Sequence, residues 1–418
     1  MRSIFSLLLL CLSLLQADVQ VQGSIENTSQ YYIEIPSDKN NLNNTLRANI
    51  EAEYTKDDLT LKGSLSAQED FYDLFNDPTK ETKRSFVRLN ELYGTYEFEN
   101  DQLLVGKSIR FWGALEVRNV VDTFNPQDLR SDVFETDKLG VWNVAYSHYT
   151  EMGEFNAIVK FYEQDREMAA YPYAYYFFPE TIATLDLNYK SKLVSEESRY
   201  RPSVYLKYAA STETEYALDY AFVYENGYDS QRYYSIDLTE DFTHFTTQEH
   251  AYLVNKFSMF NTLVVGATLF KMEALYTDVI SNDINISDYY HLGFGLEHTL
   301  SGVYKEADLG VICEYYYYNT LDQDKYSDLE LFETMQDDLF VGLRYTFNEG
   351  NDASVVGGII ADLEYDEEVY YMEYESRFAE VLKINFDYRY INPSKNYQTA
   401  FNLLGKHERV SLKIGYYF

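Results

Sequence analysis

One run of the 418-residue chain gathers fixed charges of both signs: VGKSIRFWGALEVRNVVDTFNPQDLRSDVFE, residues 105–135. Arg110, Arg118 and Arg130 stand there against Glu116, Asp122, Asp128 and Asp132. Opposed charges lining a narrow passage impose a transverse field that sorts solutes by charge.

Other chemistries are less well supplied. A calcium-loop spacing begins at Asp322, with Asp324, Asp328, Glu330 and Glu333 at the third, seventh, ninth and twelfth places. Tyr326 and Ser327 occupy the fifth and sixth, where an acid or amide and a glycine are wanted. The expectation is therefore no cofactor and no specific metal site, only loose divalent-cation contact at acidic loops. Of His148, His244, His250, His291, His298 and His407, only His244 and His250 lie close, and no zinc spacing results. A lipid hydrolase needs Ser and His on one face near a rim. Ser147 and His148 are adjacent and fall on opposite faces of a strand. No glycine-rich phosphate loop and no basic stripe is present, which disfavours nucleotides and nucleic acid. The chain is read as a non-enzyme.

The charged run must be held by something. Leu115, Val117, Val120, Val121, Phe124, Leu129, Val133 and Phe134 all need burial, so a connector over 111–139 cannot lie in open water or be disordered. Asn125-Pro126 fixes a turn within it. The flanking sequence alternates with period 2, apolar on one face and polar on the other, as in LRANIEAEY, LTLKGSLSAQ, EFNAIVKFY, TLDLNYK and LKINFDYRY. With 43 Tyr, 26 Phe and only 7 Pro, composition suits strands.

The first seventeen residues, MRSIFSLLLLCLSLLQA, read as a secretory signal: Arg2, an apolar stretch from Ile4 to Leu15, and Ala17 at the cut. A lipoprotein use of Cys11 is disfavoured by Leu10 and by the continuing apolar run. Residues 18–418 then form one domain, with Cys313 as its single cysteine and no disulfide. No later stretch is apolar for long enough to cross a bilayer as a helix.

A soluble sandwich alternates too, but connector lengths discriminate. Short links at Lys56–Asp58, Glu99–Asp101, Glu151–Gly153, Ser301–Lys305 and Asn348–Asp352 alternate with long ones at Asp70–Arg84, Phe111–Leu139, Gln164–Pro179, Glu273–Asp288 and Asn319–Gln336. Short periplasmic turns on one rim and long extracellular loops on the other are the pattern of a transmembrane antiparallel β-barrel. Tyr and Phe at strand ends, as in EYYYYNT, VYYMEYE, AYYFF and GYYF, suit the headgroup level. About 18 strands (16–20) fit the length; the count is least secure over Ser211–Phe260 and in VQVQGSIENT. The loop over 111–139 is expected to fold into the lumen.

Inward positions carry Arg47, Lys62, Arg110, Lys160, Lys190, Lys207, Arg344, Lys383, Arg389 and Lys413. Glu51, Glu53, Asp186, Asp219, Glu297, Glu314, Asp362 and Asp387 oppose them. Such density suits a water-filled lumen. The net charge of −34 therefore comes mostly from loops and turns. An acidic mouth enriches cations; equally, such loops form a solvated surface bridged by divalent ions beside lipopolysaccharide.

Two stretches carry resemblances. The set Gly106-Lys107, Trp112-Gly113, Asp122, Asn125-Pro126 and Asp128 resembles a signature of Gram-negative outer-membrane porin-like families, including alginate-export-like barrels and a related family of unknown function. The resemblance implies passive transport of small solutes across the outer membrane without naming a cargo. Trp112, Asn125 and Pro126 can equally serve to anchor the loop, and both roles are compatible. The closing ERVSLKIGYYF, with Tyr416 and Phe418 in the alternating row, resembles the C-terminal signal of outer-membrane proteins. It implies recognition by periplasmic chaperones and the barrel-assembly machinery, and a setting among outer-membrane lipid and lipopolysaccharide. The expected function is a porin-like channel; the alternative is a non-conducting surface barrel for adhesion or envelope integrity, and a barrel hydrolase comes last.

Overall fold

In a computed structural model, residues 19–75, 82–130, 132–134, 136–212, 216–281, 285–322, 333–348 and 350–418 are described. The expected signal segment 1–17 and most of the calcium-like spacing lie outside them.

Eighteen strands form a closed antiparallel β-barrel. In chain order the wall is Gln20–Glu34, Leu42–Lys56, Leu59–Asp70, Phe86–Phe98, Asp101–Ser108, Val141–Thr150, Gly153–Lys160, Ser203–Thr212 and Ala217–Tyr228, followed by Leu253–Val265, Thr268–Val279, Tyr289–Tyr304, Ala307–Thr320, Asp337–Thr346, Ser354–Asp362, Glu368–Phe378, Leu382–Asn392 and His407–Tyr417. Each pairs with its neighbours in the wall, and the last closes on the first through a ladder from Ser24↔Tyr417 to Tyr31↔Val410. Closure removes the free edges that an open sheet would leave unsatisfied.

Two-residue turns at 57–58, 99–100 and 305–306 sit on one rim, with Asp57, Glu99 and Lys305 in the left-handed region (φ 51, 53 and 55) that tight hairpins require. The long connectors, among them 109–140, 161–202, 229–252 and 321–336, sit on the other. No helix of the described residues is long and apolar enough to cross a membrane.

Alternation places exposed apolar rows on the outside: Val341 and Leu343 on one strand, Leu412, Ile414, Tyr416 and Phe418 on the last. Phe418 is part of the seam. Its N–H donates to the Gly23 carbonyl (3.0 Å) and its carbonyl accepts from the Gly23 N–H (2.9 Å). Its ring covers Gly23, where a Cβ would meet Asn49 O at 2.6 Å and Phe418 Cζ at 2.8 Å. A Gly23→Val substitution is expected to cost roughly 1–3 kcal/mol by overpacking. The measurement is the fraction of protein that migrates as the compact, unheated form in SDS electrophoresis; an unchanged fraction would mean that this seam contact is dispensable.

Three expectations need correction. The connector at Glu273–Asp288 is shorter, because its strand runs on to Val279 with Phe270 and Tyr276 exposed on the outer face. The segment TLDLNYK is not wall. Leu185–Ser195 pairs in parallel with Phe245–Ala251, which pairs with Tyr233–Leu238, in a separate sheet on the long-loop rim. The aromatic run AYYFF is no interfacial belt: Tyr175, Tyr176 and Phe178 are buried within the protein.

The largest buried apolar cluster lies inside the cylinder. Trp112, Leu115, Val121 and Phe124 of the 109–140 connector pack with wall residues such as Tyr205, Leu275 and Phe340. Phe401 and Leu404, from the short helix Ala400–Leu404, join them. Thr399 caps that helix by accepting from the Asn402 N–H (3.1 Å).

Candidate constriction in the barrel lumen

The connector 109–140 leaves the wall after Ser108 and returns at Val141, residues that face one another across the ladder. Asn125 ties the two ends together. Its side-chain oxygen accepts from the Arg110 N–H (2.8 Å), and its Nδ2 donates to the carbonyls of Ser108 (3.1 Å) and Leu139 (2.9 Å). Only an amide can both donate and accept in this way. Asp122 accepts from the Trp112 N–H (3.4 Å) and pairs with Lys138. Trp112 and Phe124 pack around Tyr205 of the wall, with ring centroids 5.9 and 4.9 Å away.

Away from those roots the loop is received by carboxylates of distant strands. Glu273 accepts from the N–H groups of Ala114 (2.6 Å), Leu115 (3.0 Å) and Val121 (3.2 Å). Glu314 accepts from those of Glu116 (2.7 Å) and Val117 (3.0 Å), and from the Tyr316 hydroxyl (2.6 Å). That hydroxyl oxygen in turn accepts from the Arg118 N–H (3.1 Å). Glu273 and Glu314 are 0% and 1% exposed and have no ion-pair partner among the described residues. Backbone N–H groups therefore take the place of a cation, as at other anion sites built from peptide dipoles.

The side chains of the loop then pair outward in several directions. Glu116 meets Arg344, which also reaches Glu297 (3.1 Å). Arg118 meets Glu333 (3.2 Å). Asp128 holds Arg130 (2.7 Å) and pairs with Arg88. Asp137 bridges Arg47 (2.7 Å) and Arg88 (3.0 Å). Asp132 meets Arg389 (3.1 Å) and Arg409 (2.5 Å), and Arg409 also holds Asp387. Burial raises the Asp132 carboxyl, but the guanidiniums of Arg389 and Arg409 prevail and hold it well below the usual carboxylate range.

All nine loop positions singled out by sequence, Arg110, Trp112, Glu116, Arg118, Asp122, Asn125, Asp128, Arg130 and Asp132, are thus gathered in the lumen. Six of the seven charges are closed into ion pairs. Arg110 is without one among the described residues; it lies over the Phe124 ring and 3.4 Å from Asn143 Oδ1. Arg47, Glu51, Lys62, Lys160, Lys207, Arg344, Asp387 and Arg389 belong to wall strands. Asp186 does not: it is exposed on the small outer sheet, because Leu187 beside it packs against Met168, Tyr176 and Phe178 rather than lipid.

Sequence reasoning missed a second inserted segment. In the 161–202 connector, Tyr175 stacks on His407 (5.6 Å) and its hydroxyl accepts from Arg409 (3.0 Å). Tyr173 lies 4.0 Å under the Arg84 guanidinium. The role of Glu273 was also missed, although its outward neighbours Met272 and Ala274 continue the wall alternation.

On the long-loop side of the inserted loop lies a cavity of about 400 Å³. A larger depression of about 730 Å³ is lined by outward residues such as Phe222, Phe257 and Tyr276. It lies on the outer face of the wall, not in a passage. No group of three or more His, Cys, Asp or Glu side chains able to hold a metal occurs among the described residues.

The closed antiparallel wall of 18 strands defines a barrel of the outer-membrane porin fold. No protein-family model matches the sequence, and no curated protein does. Among solved structures the chain is similar to OccAB3 of Acinetobacter baumannii (10% identity, TM-score 0.56), covering 96% of this chain and 99% of that one. OccK8 (OprE) of Pseudomonas aeruginosa is similar at 9% identity and TM-score 0.54, covering 96% and 98%. So is a BenF-like porin from Pseudomonas fluorescens Pf-5, at 10% identity and TM-score 0.54, covering 96% and 98%. At these identities the likeness is one of fold.

Proposed function

We propose that the protein is a non-enzymatic channel of a Gram-negative outer membrane that lets small solutes diffuse passively. The short-turn rim faces the periplasm and the long-loop rim faces outward, where acidic loops contact lipopolysaccharide and divalent ions. The loop over 111–139 sets the selectivity. The observation that carries this is the attachment of that loop to Glu273 and Glu314, on strands far in sequence from its roots. A loop held at both ends narrows a pore without sealing it by chance. The resemblance of the Gly106–Asp128 set to alginate-export-like barrels agrees in class and leaves the cargo open.

Planar-bilayer recording tests the proposal. Discrete current steps with a reversal potential in a salt gradient are expected. Silence from correctly folded protein would favour a second reading, a non-conducting surface barrel. One observation favours that alternative: the apolar cluster runs from the loop to Phe401 and Leu404 inside the cylinder.

A further inference from the structure

The cavity above the constriction has a lining that can be read for its occupant. Five cationic side chains border it, and each is already engaged: Arg118 with Glu333, Lys138 with Asp122, Lys160 and Arg232 with Glu163, Arg166 with Glu249. The acid Asp229 is held by Lys256 (2.9 Å). An entering anion could claim a cation only by stripping it from its carboxylate, and an entering cation faces the converse; either leaves a protein charge without its partner.

The remaining lining mixes apolar and uncharged polar side chains, with Asn119, Gln127 and Gln231 among the latter. Phe124, Phe134, Phe177 and Phe401 present aromatic surface, and the Phe134 and Phe401 rings stack at 5.6 Å. Thr123, Thr136 and Ser230 present hydroxyls. About 400 Å³ lies at the lower end of the range for small-molecule sites.

We infer that this vestibule admits a small uncharged polyhydroxylated ring, of monosaccharide size, with one face on the phenylalanines and its hydroxyls on the hydroxyl and amide side chains of the lining. The inference rests on the channel proposed above and names the solute class that it prefers.

The test is swelling of proteoliposomes in isosmotic glucose, glucuronate and glucosamine, three rings of nearly one size and differing charge. Glucose is expected to enter at least about threefold faster than either charged relative. Equal or faster entry of glucuronate or glucosamine overturns the inference and leaves the channel standing. No swelling in any of the three, from folded protein, overturns both. A Glu333→Gln variant frees the charge of Arg118 and is expected to raise glucuronate entry relative to glucose, and the double variant Arg118→Gln/Glu333→Gln to restore the original order. Should Glu333→Gln not fold, Asp122→Asn, which frees Lys138, makes the same comparison. An unchanged order in the single variant overturns the inference.

Discussion

Deleting Ala114–Asp132 and bridging the gap with a short glycine-serine linker raises single-channel conductance, by at least about twofold. The strand pairing at its roots does not depend on this segment, although the deletion also removes Asp132 and lowers stability as that residue's loss does. Asp101–Ser108 and Val141–Thr150 pair directly along their length, down to Ser108↔Val141, so the ladder survives the deletion. What is lost is the material crossing the lumen, including Leu115, Val120, Val121 and Phe124. A gentler variant separates position from presence. Glu273→Ala with Glu314→Ala leaves five loop N–H groups without their acceptors. Each buried, unsatisfied donor costs about 1–3 kcal/mol. The loop tip is expected to leave the wall, giving a smaller rise in mean current with added flicker. If neither variant changes the current, the loop does not lie on the ion path.

The second large effect is on stability. Asp132→Ala removes the carboxylate shared by Arg389 and Arg409, which are 7% and 2% exposed. Arg409 retains Asp387, but both guanidiniums lose the anion they shared. Breaking a buried ion pair from one side costs roughly 3–5 kcal/mol. The measured quantities are the thermal midpoint by circular dichroism and the temperature at which the compact electrophoretic form is lost; both are expected to fall. The pH dependence has a definite sign. The Asp132 carboxyl is depressed in the folded protein. Its stabilisation is complete above the ordinary carboxylate value, near 4. It fades as acid approaches the lower folded value. The unsubstituted protein should therefore lose stability in strong acid, and Asp132→Ala should lose less over that range. A midpoint unchanged by the substitution at neutral pH would mean that the guanidiniums find other partners.

The wall was legible in the sequence because period 2 has a direct physical cause: one side of each strand faces out of the cylinder and the other faces into it. The terminal row through Leu412, Ile414, Tyr416 and Phe418 is the clearest case. The 111–139 segment was legible because its apolar residues needed cover that a surface loop cannot supply. Alternation does not say what the apolar face meets, however. Leu185, Leu187 and Tyr189 alternate as a wall strand would, yet pack on a neighbouring loop sheet, and Asp186 went with them. An aromatic tract is equally at home at a membrane interface or inside a core, so Tyr173 and Tyr175 gave no sign of their place. The partners of Glu273 were hidden for another reason. A carboxylate bound by backbone N–H groups leaves no complementary side chain to read.

The attachments of the inserted loop also fix an order of assembly. Its Asp132 is 257 residues from Arg389 and 277 from Arg409, and Glu116 is 228 from Arg344. Contacts of such contact order form late. The loop is synthesised long before the strands that receive it, with its valines and phenylalanines still wet and prone to self-association. The cylinder must first come together around a loose interior, and only then can that interior condense. The slow phase of folding is thus expected inside the finished wall, after the outer surface is already complete.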